Sequence, residues 1–213
     1  MIITTNSDPI KSIKISWEML LEIGYQAWDE SVLYESPAVY EFSPYTLPGF
    51  RLDKGGKLHY DFDILELFPE FDLKKIEDET EYWEKEMILN DKIDRIVNHL
   101  KKNISSRRAI ISLWDDSFRE NLSMGAACTH TFYFRAKSEK ELEMHTHARA
   151  NDLYNCIYID LQFINFFHHL VAQRLGMTVG KHVHFIDALH IYKKDSHKII
   201  NQTDFIRQSK IWN

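Results

Sequence analysis

The chain has 213 residues, and its 32 acidic and 26 basic side chains give a formal net charge of −6. Apolar residues make up 44% and charged residues 27%, which is ordinary for a soluble globular protein. The acidic balance argues against a nucleic-acid polymer as partner, and no apolar run approaches the roughly 20 residues that a membrane span needs.

The two cysteines, Cys128 and Cys156, are too few for a disulfide framework or a cysteine-based zinc site. Reduced cysteines favour the cytoplasm, and residues 1–9 lack the apolar stretch of a signal peptide. We therefore expect a cytoplasmic protein of one domain over residues 1–213.

The first part of the chain carries one helical pattern and long stretches without regular periodicity. Steps of four, three and four residues predict an early helix, at Trp17, Leu21, Gly24 and Trp28. Residues 36–56 contain three prolines and three glycines and predict an irregular loop. The acidic and aromatic residues 61–86 give no assignment.

Periodicity is clearer in the second part. A helix is predicted by an apolar stripe, with Asn90 or Asp91 as its cap, at Ile93, Ile96, Val97 and Leu100. A long apolar helix is predicted over residues 157–175, ending at Gly176. Strands are predicted within four segments, at residues 109–114 (a buried strand), 131–134, 142–148 and 183–192. The pattern indicates a mixed α/β chain.

Cys128 is the candidate nucleophile, because the small residues Gly125, Ala126 and Ala127 before it would let a ligand approach the sulfur. A thiol with an ordinary pKa of about 8.5 needs a nearby cation to ionise at neutral pH. The alternative is a buried, inert cysteine. Arg107 and Arg108 are two adjacent guanidinium groups that could hold a phosphate, or could form a solvated charge cluster.

Histidine pairs raise the question of a metal site. Two pairs share a strand face, at His145 with His147 and at His182 with His184. No carboxylate or cysteine stands at a recognised ligand spacing beside them, so we predict no metal site. His168 and His169, inside the apolar helix, are interpreted as structural.

From about Ser105 to Tyr192, the chain resembles thymidylate synthase and its relatives, the pyrimidine-nucleotide hydroxymethylases. Several elements carry the resemblance in order: Ser106-Arg107-Arg108 before a strand, Cys128, Arg149 with Asp152, Asp160, and His190 with Tyr192. Asp152 and Asp160 are eight residues apart, and Asp160 and His190 thirty apart, both without gaps relative to the family. The resemblance implies an α/β (α+β), thymidylate synthase-like fold, in which helices pack one face of a large mixed sheet and a homodimer buries the other.

The resemblance also implies roles for these residues. Cys128 would attack C6 of the base of a pyrimidine nucleoside monophosphate, with 5,10-methylenetetrahydrofolate as the one-carbon donor. Tyr82 matches the tyrosine that assists proton removal from C5. The nucleotide-binding residues would be Arg149 at the phosphate, Arg107 and Arg108 at the phosphate of the neighbouring subunit, His190 and Tyr192 at the sugar, together with Ala150, Asp152 and Asp160.

Departures from the family pattern bear on the substrate. Asp160 replaces the asparagine that reads the uracil edge, and a carboxylate accepts from the amino group of cytosine. This predicts CMP or dCMP, although an aspartate there is also favoured by the helix dipole. Ala150 replaces a serine, which could admit a ribose 2′-hydroxyl. Cys156 stands where the family has the glycine against which folate packs.

Four functions remain open at this stage. The first is a C5 hydroxymethylase or methylase acting on a cytosine nucleotide. The others are a thymidylate synthase acting on dUMP, an enzyme of the same fold performing C5 or C6 chemistry without folate, and a non-catalytic nucleotide-binding protein. The joint presence of Cys128 and Arg149 argues against the last.

Overall fold

The computed structural model describes residues 1–6, 8–26, 29–44, 50–54, 57–60, 73–114 and 127–198. In these ranges the strands are β1 (Ile2–Asn6), β2 (Val32–Phe42), β3 (Phe50–Leu52), β4 (Leu58–Tyr60), β5 (Ile110–Ser112), β6 (Thr129–Ala136), β7 (Glu141–Ala148), β8 (Asn151–Asp152) and β9 (Thr178–Tyr192). The helices are α1 (Pro9–Ile23), α2 (Leu73–Trp83), α3 (Lys92–Lys102) and α4 (Ile157–Leu175), with a π-helical segment (Glu84–Leu89) directly after α2.

A mixed sheet in the order β1-β2-β9-β7-β6-β5 forms the centre of the described structure, and β8 pairs with β9 beyond the end of β7. The β1–β2 and β7–β9 pairs are parallel, while β2–β9, β6–β7 and β5–β6 are antiparallel. Strands β3 and β4 form a separate hairpin. The predicted large mixed sheet packed by helices is therefore confirmed.

The core lies between one face of this sheet and helices α1, α3 and α4. Alternate residues of the strands point into it, so that aromatic side chains from β2 and β6 are fully buried at Tyr40, Phe42, Phe132 and Phe134. Helix α4 has most of its residues buried, as its mostly apolar sequence predicts. Its end at Gly176 is also confirmed, because that residue adopts φ +68°, a conformation that favours glycine.

The predicted loop over residues 36–56 is wrong in its first part, since Ser36 to Phe42 belong to β2. Pro37 is tolerated because it lies at a register shift between Ser36 and Ala38, where the ladder to β9 is interrupted. The early helix exists but begins at Pro9 and ends before Gly24. Trp28 lies outside the described residues.

Two smaller predictions also need correction. Strand β5 has only three residues and is the last strand of the described sheet, so Ile110 is 52% exposed rather than buried. Asp91 precedes α3 in a left-handed conformation (φ 55°), and its side chain makes no capping hydrogen bond. The apolar stripe of α3 is buried as predicted.

On the sheet face opposite the helices, a row of paired residues runs from β1 to β5, with one residue from each of the six strands in the order given above. The row runs through Ile3, Val39, Phe185, His147, Thr131 and Ser112. Ile3 is 58% and Phe185 42% exposed, so this face presents apolar and aromatic surface to solvent. Among the described helices, none is long and apolar enough to cross a membrane.

Candidate active site

A cavity of about 410 Å³ opens where the start of β6 meets the end of β7, between α2 and the first turn of α4. This volume lies within the range of roughly 300–1,000 Å³ typical of small-molecule sites. Its described lining residues are Asp78, Glu79, Tyr82, Trp83, Ala127, Cys128, Thr129, Arg149, Cys156 and Asp160. The structure thus brings together four of the predicted site residues, Tyr82, Cys128, Arg149 and Asp160.

Strand pairing places Cys128 beside Arg149. Cys128 directly precedes β6 and Arg149 directly follows β7, and Thr129 pairs with Ala148 across the two antiparallel strands. The Arg149 amide donates a hydrogen bond to the Cys128 carbonyl oxygen over 3.0 Å. A half-buried thiol and an exposed guanidinium group therefore share one rim of the cavity.

The first turn of α4 forms a second wall. Cys156 precedes the helix and Asp160 lies in its first turn, where the helix dipole favours a carboxylate. Asp160 is only 7% exposed, and its Oδ2 atom accepts a hydrogen bond of 2.9 Å from Nδ2 of Asn151 in β8. Asn151 was not predicted as a site residue, because its partner lies nine positions away on another element.

Helix α2 supplies the third wall and most of the residues that sequence reasoning missed. Glu79, Tyr82 and Trp83 are spaced i, i+3 and i+4, so they share a helix face, and that spacing is the signal that could have identified it. Burial is the main cause that raises the pKa of Tyr82, followed by the charges of Glu86 and Glu79. Tyr82 is therefore a neutral phenol across the physiological range.

Two polar atoms on the cavity wall are buried without a hydrogen-bond partner among the described residues. They are the indole Nε1 of Trp83 and the hydroxyl oxygen of Thr129. Trp83 is held rigidly by ring contacts with Phe132, Phe163 and Phe167. Buried polar groups are normally satisfied, so these two atoms are candidates for hydrogen bonds to a ligand in the cavity.

The predicted arginine pair is not part of this cavity within one subunit. Arg107 is exposed, and Arg108 lines a separate cleft of about 330 Å³ between α3 and β5. Lys92, Arg95 and His99 line the same cleft. Arg149 is the one arginine or lysine among the described residues that line the Cys128 cavity, where it faces three carboxylates.

The remaining predicted nucleotide contacts lie near the cavity but do not line it. Asp152 uses its carboxylate to accept hydrogen bonds from the Tyr154 and Asn155 backbone amides and the Asn155 side chain, which shapes the turn before α4. His190 and Tyr192 lie on β9, their rings 4.9 Å apart, and Asp152 pairs with His190 across β8 and β9. Ala150 is half-buried between β7 and β8. Burial raises the pKa of Tyr192, with a smaller contribution from Asp152.

The histidine pairs have separate surroundings. The Thr146 hydroxyl contacts His182 Nε2 at 2.9 Å and His184 Nδ1 at 2.7 Å, all inside the core. His147 faces solvent and contacts Asp187 at 3.0 Å. His168 is buried and its ring donates to the Leu142 carbonyl oxygen, as the structural interpretation expected. No group of three or more potential ligands is arranged to hold a metal ion within the described ranges.

Comparison with known proteins gives a consistent family match. A family model described as thymidylate synthase matches residues 16–210. Curated thymidylate synthases from Malacoplasma penetrans (29% identical over 112 residues, 53% of this chain and 38% of the relative) and Bacillus mojavensis (27% over 124 residues, 57% and 44%) align with part of the chain. One from Streptococcus mutans is 30% identical over 106 residues, 48% of this chain and 38% of the relative. The matched part spans less than half the length of these relatives.

Proposed function

The chain belongs to the thymidylate synthase family, and from that membership we propose that it transfers a one-carbon unit to C5 of a pyrimidine nucleoside monophosphate, as a single domain over residues 1–213 in the cytoplasm. Members of this family are one-carbon transferases that use methylenetetrahydrofolate as donor. The observation that carries the proposal is the cavity in which Cys128, Arg149, Asp160 and Tyr82 converge.

The Cys128 thiolate starts the reaction by adding to C6 of the base. The S–C6 bond forms as the C5=C6 double bond opens, and the electron pair is shared between C5 and the conjugated ring. C5 then bonds to the one-carbon unit, which would leave the folate nitrogen, and the C5 proton passes to a water molecule. The neutral Tyr82 phenol lies on the opposite wall, where it would orient that water. Reversal of the thiol addition restores the C5=C6 bond and releases Cys128.

The chemical groups on the cavity wall suit methylenetetrahydrofolate, the one-carbon donor of the family. The unpartnered Trp83 Nε1 is a hydrogen-bond donor for a heteroaromatic ligand, and the carboxylates of Asp78 and Glu79 can accept from the amino group of a pterin ring. Methylenetetrahydrofolate, when bound, supplies the one-carbon unit that C5 accepts. Trp83, Asp78 and Glu79 are therefore the residues proposed to hold it.

Asp160 directs the choice of base toward cytosine. Its carboxylate presents acceptor oxygens to the cavity, which suits the exocyclic amino group of cytosine and opposes the O4 acceptor of uracil. We therefore place C5 hydroxymethylation of CMP or dCMP first, with water completing the reaction at the one-carbon unit. Methylation of dUMP is the second candidate, and it is favoured by the names of the curated relatives.

The phosphate side of the site is incomplete within one subunit, which supports a homodimer. Arg149 alone faces three carboxylates, and a phosphate dianion needs further cations. Arg107 and Arg108 lie away from this cavity and are proposed to reach the nucleotide of the partner. The exposed row through Ile3 and Phe185 gives the sheet face an apolar surface for that dimer.

The sugar is proposed to lie toward β8 and β9. His190 and Tyr192 project there from adjacent alternate positions of β9, and Asp152 fixes the turn beside them. Ala150 has no hydroxyl at the place where synthases carry serine. The smaller side chain leaves room for a ribose 2′-hydroxyl, so ribonucleotides and deoxyribonucleotides are both tested below.

Tritium release from C5-tritiated CMP, dCMP, UMP and dUMP tests the proposal, with and without methylenetetrahydrofolate. We expect release from a cytosine nucleotide that the folate stimulates. Release from dUMP alone would support methylation of dUMP, the second candidate. Release that does not depend on folate would support attack by Cys128 and contradict methylenetetrahydrofolate as the one-carbon donor. Absence of release from all four in folded protein would contradict the proposed function.

A further inference from the structure

Asn151 and Asp160 form a buried pair that the family assignment does not explain. Asn151 lies in β8, is fully buried, and donates from Nδ2 to Asp160 Oδ2 over 2.9 Å. Its own Oδ1 atom is buried and has no hydrogen-bond partner among the described residues. The amide is oriented in this way because the opposite orientation would place its oxygen against a carboxylate oxygen.

Resting on the proposed function, we propose that Asn151 is a positioning residue for base specificity, because its hydrogen bond holds the side chain of residue 160 in the orientation in which it faces the ligand. Asn151 donates a hydrogen bond from Nδ2, so the atom of residue 160 that contacts it must be a hydrogen-bond acceptor. Asp160 lies on the cavity wall and its second oxygen is also an acceptor, so the carboxylate presents an acceptor to the base. That group complements the amino group of cytosine.

The same geometry makes a distinct prediction for an amide at position 160. In Asp160→Asn, the Asn151 donor would hold the new carbonyl oxygen and turn the new NH₂ group toward the ligand. A donor complements O4 of uracil and opposes the cytosine amino group. With Asn151 present, the change from carboxylate to amide at position 160 would thus reverse the preference from cytosine to uracil. Without Asn151, the amide of Asp160→Asn could rotate, and the site would bind cytosine and uracil nucleotides alike.

The pair is suited to this role because both members are held by the backbone of different elements. Asn151 pairs with Leu189 across β8 and β9, and Asp160 lies in the first turn of α4. Solvent reaches little of either side chain, since Asn151 is fully buried and Asp160 is 7% exposed. A buried, oriented hydrogen bond of this kind is more costly to lose than an exposed one.

The test compares wild type, Asn151→Ala, Asp160→Asn and the double variant. Calorimetry gives the Kd for CMP and UMP and their deoxy forms, and C5 tritium release gives the ratio of kcat/KM. We expect the cytosine preference of wild type to fall about tenfold in Asn151→Ala, as for loss of one oriented hydrogen bond. We expect reversal in Asp160→Asn, and in the double variant a ratio close to one.

Asn165→Ala is the matched control, because it removes another buried amide from the neighbourhood of α4 without touching the cavity lining. It should keep the wild-type ratio, and circular dichroism melting checks that each variant is folded. A folded Asn151→Ala protein with the wild-type base ratio would overturn the positioning role while leaving the proposed function intact. If the protein binds nucleotides with base selectivity but releases no tritium, the proposed reaction is contradicted. The ratio of Kd values in wild type and Asn151→Ala then tests the positioning role. Failure of wild type to bind any of the nucleotides would overturn both.

Discussion

The backbone amide of Arg149 is hydrogen-bonded to the carbonyl oxygen of Cys128 over 3.0 Å. This bond joins two residues that are 21 positions apart in sequence and lie just outside the paired ends of β6 and β7. Strand pairing thus holds the proposed nucleophile beside the proposed phosphate-binding residue, next to a register shift between Thr129 and Thr131.

Cys128 is expected to be the sulfur that bonds to the base. With methylenetetrahydrofolate present, a 5-fluorinated cytosine nucleotide should trap the adduct, because fluorine cannot leave C5 as a proton does once C5 carries the one-carbon unit. Mass spectrometry of tryptic peptides should place the added mass on the peptide containing Cys128, and Cys128→Ala should show none. Addition at Cys156, which lines the same cavity, would contradict the mechanism.

Arg149 is expected to act mainly in binding. Arg149→Ala removes a charge-assisted phosphate contact and should raise KM for the nucleotide by about 10- to 100-fold. Arg149→Lys keeps the charge but not the two-pronged geometry, so it should recover only part of the loss. The comparison of KM with kcat in steady-state assays checks this, and an unchanged KM in Arg149→Ala would exclude the assigned role.

Tyr82 is expected to affect proton transfer more than binding. Tyr82→Phe should lower the rate of C5 tritium release by about 10²- to 10⁴-fold with little change in KM. Because its surroundings raise the pKa of Tyr82, the phenol stays protonated through pH 10, so its ionisation should produce no break in the pH–rate profile below that value.

Tyr25→Phe is the matched control for this measurement, since Tyr25 is exposed and is not among the residues that line the cavity. It should retain wild-type rates. Equal losses in both variants would indicate a general structural effect and would count against a role of Tyr82 in proton transfer.

Shared sites in a homodimer can be detected by complementation. Cys128→Ala and the Arg107→Ala, Arg108→Ala double variant should each be inactive or severely impaired as pure dimers. After unfolding and refolding together, mixed dimers would contain one intact site, so about a quarter of wild-type activity should return. No recovery, in a mixture shown to form heterodimers, would place all catalytic groups of a site in one subunit.

The buried histidines are expected to make the fold sensitive to acid. Burial lowers the pKa of His168 to about 4 and that of His184 to about 3, and it also lowers the pKa of His182. In the unfolded chain these side chains take up protons near pH 6.5, the ordinary value, whereas in the folded protein they remain neutral. Their contribution to stability is therefore complete above pH 6.5 and is lost as the pH falls toward 4 and 3.

Urea unfolding at a series of pH values measures this effect. Each such histidine lowers the free energy of unfolding by about 1.4 kcal/mol per pH unit between its two pKa values. The single Thr146 hydroxyl contacts both His182 and His184, so a charge on either ring disturbs the same pair of bonds. Stability that stays constant from pH 6.5 to 4.5 would contradict the burial of neutral rings.

The sequence predicted the elements whose periodicity is set by local chemistry. Helix α4 is mostly apolar and ends at a glycine with positive φ, and β6, β7 and β9 contain the predicted strand residues. Strand β2 was missed because Pro37 is unfavourable inside a strand, and only the long-range pairing with β9 shows that it lies at an interruption of the ladder.

The site was predictable where a motif carries it and not where distant elements meet. Cys128, Arg149 and Asp160 follow from the family motifs, and the structure places them around one cavity. Asp78, Glu79 and Trp83 were missed because α2 has few apolar residues and its position over the cavity depends on packing of Trp83 against β6 and α4. The Asn151–Asp160 contact likewise requires the docking of β8 against α4.

Trp83 Nε1 and Thr129 Oγ1, the two unpartnered atoms on the cavity wall, favour ligand binding at the expense of the stability of the unliganded fold. Each buried polar atom without a partner costs about 1–3 kcal/mol in the unliganded fold. Valine has nearly the shape of threonine and would remove that cost at position 129, whereas any smaller ring at position 83 would leave a cavity among Phe132, Phe163 and Phe167. A directed-evolution experiment that rewards heat resistance alone should therefore enrich T129V, and the selected proteins should be more stable but bind ligand more weakly.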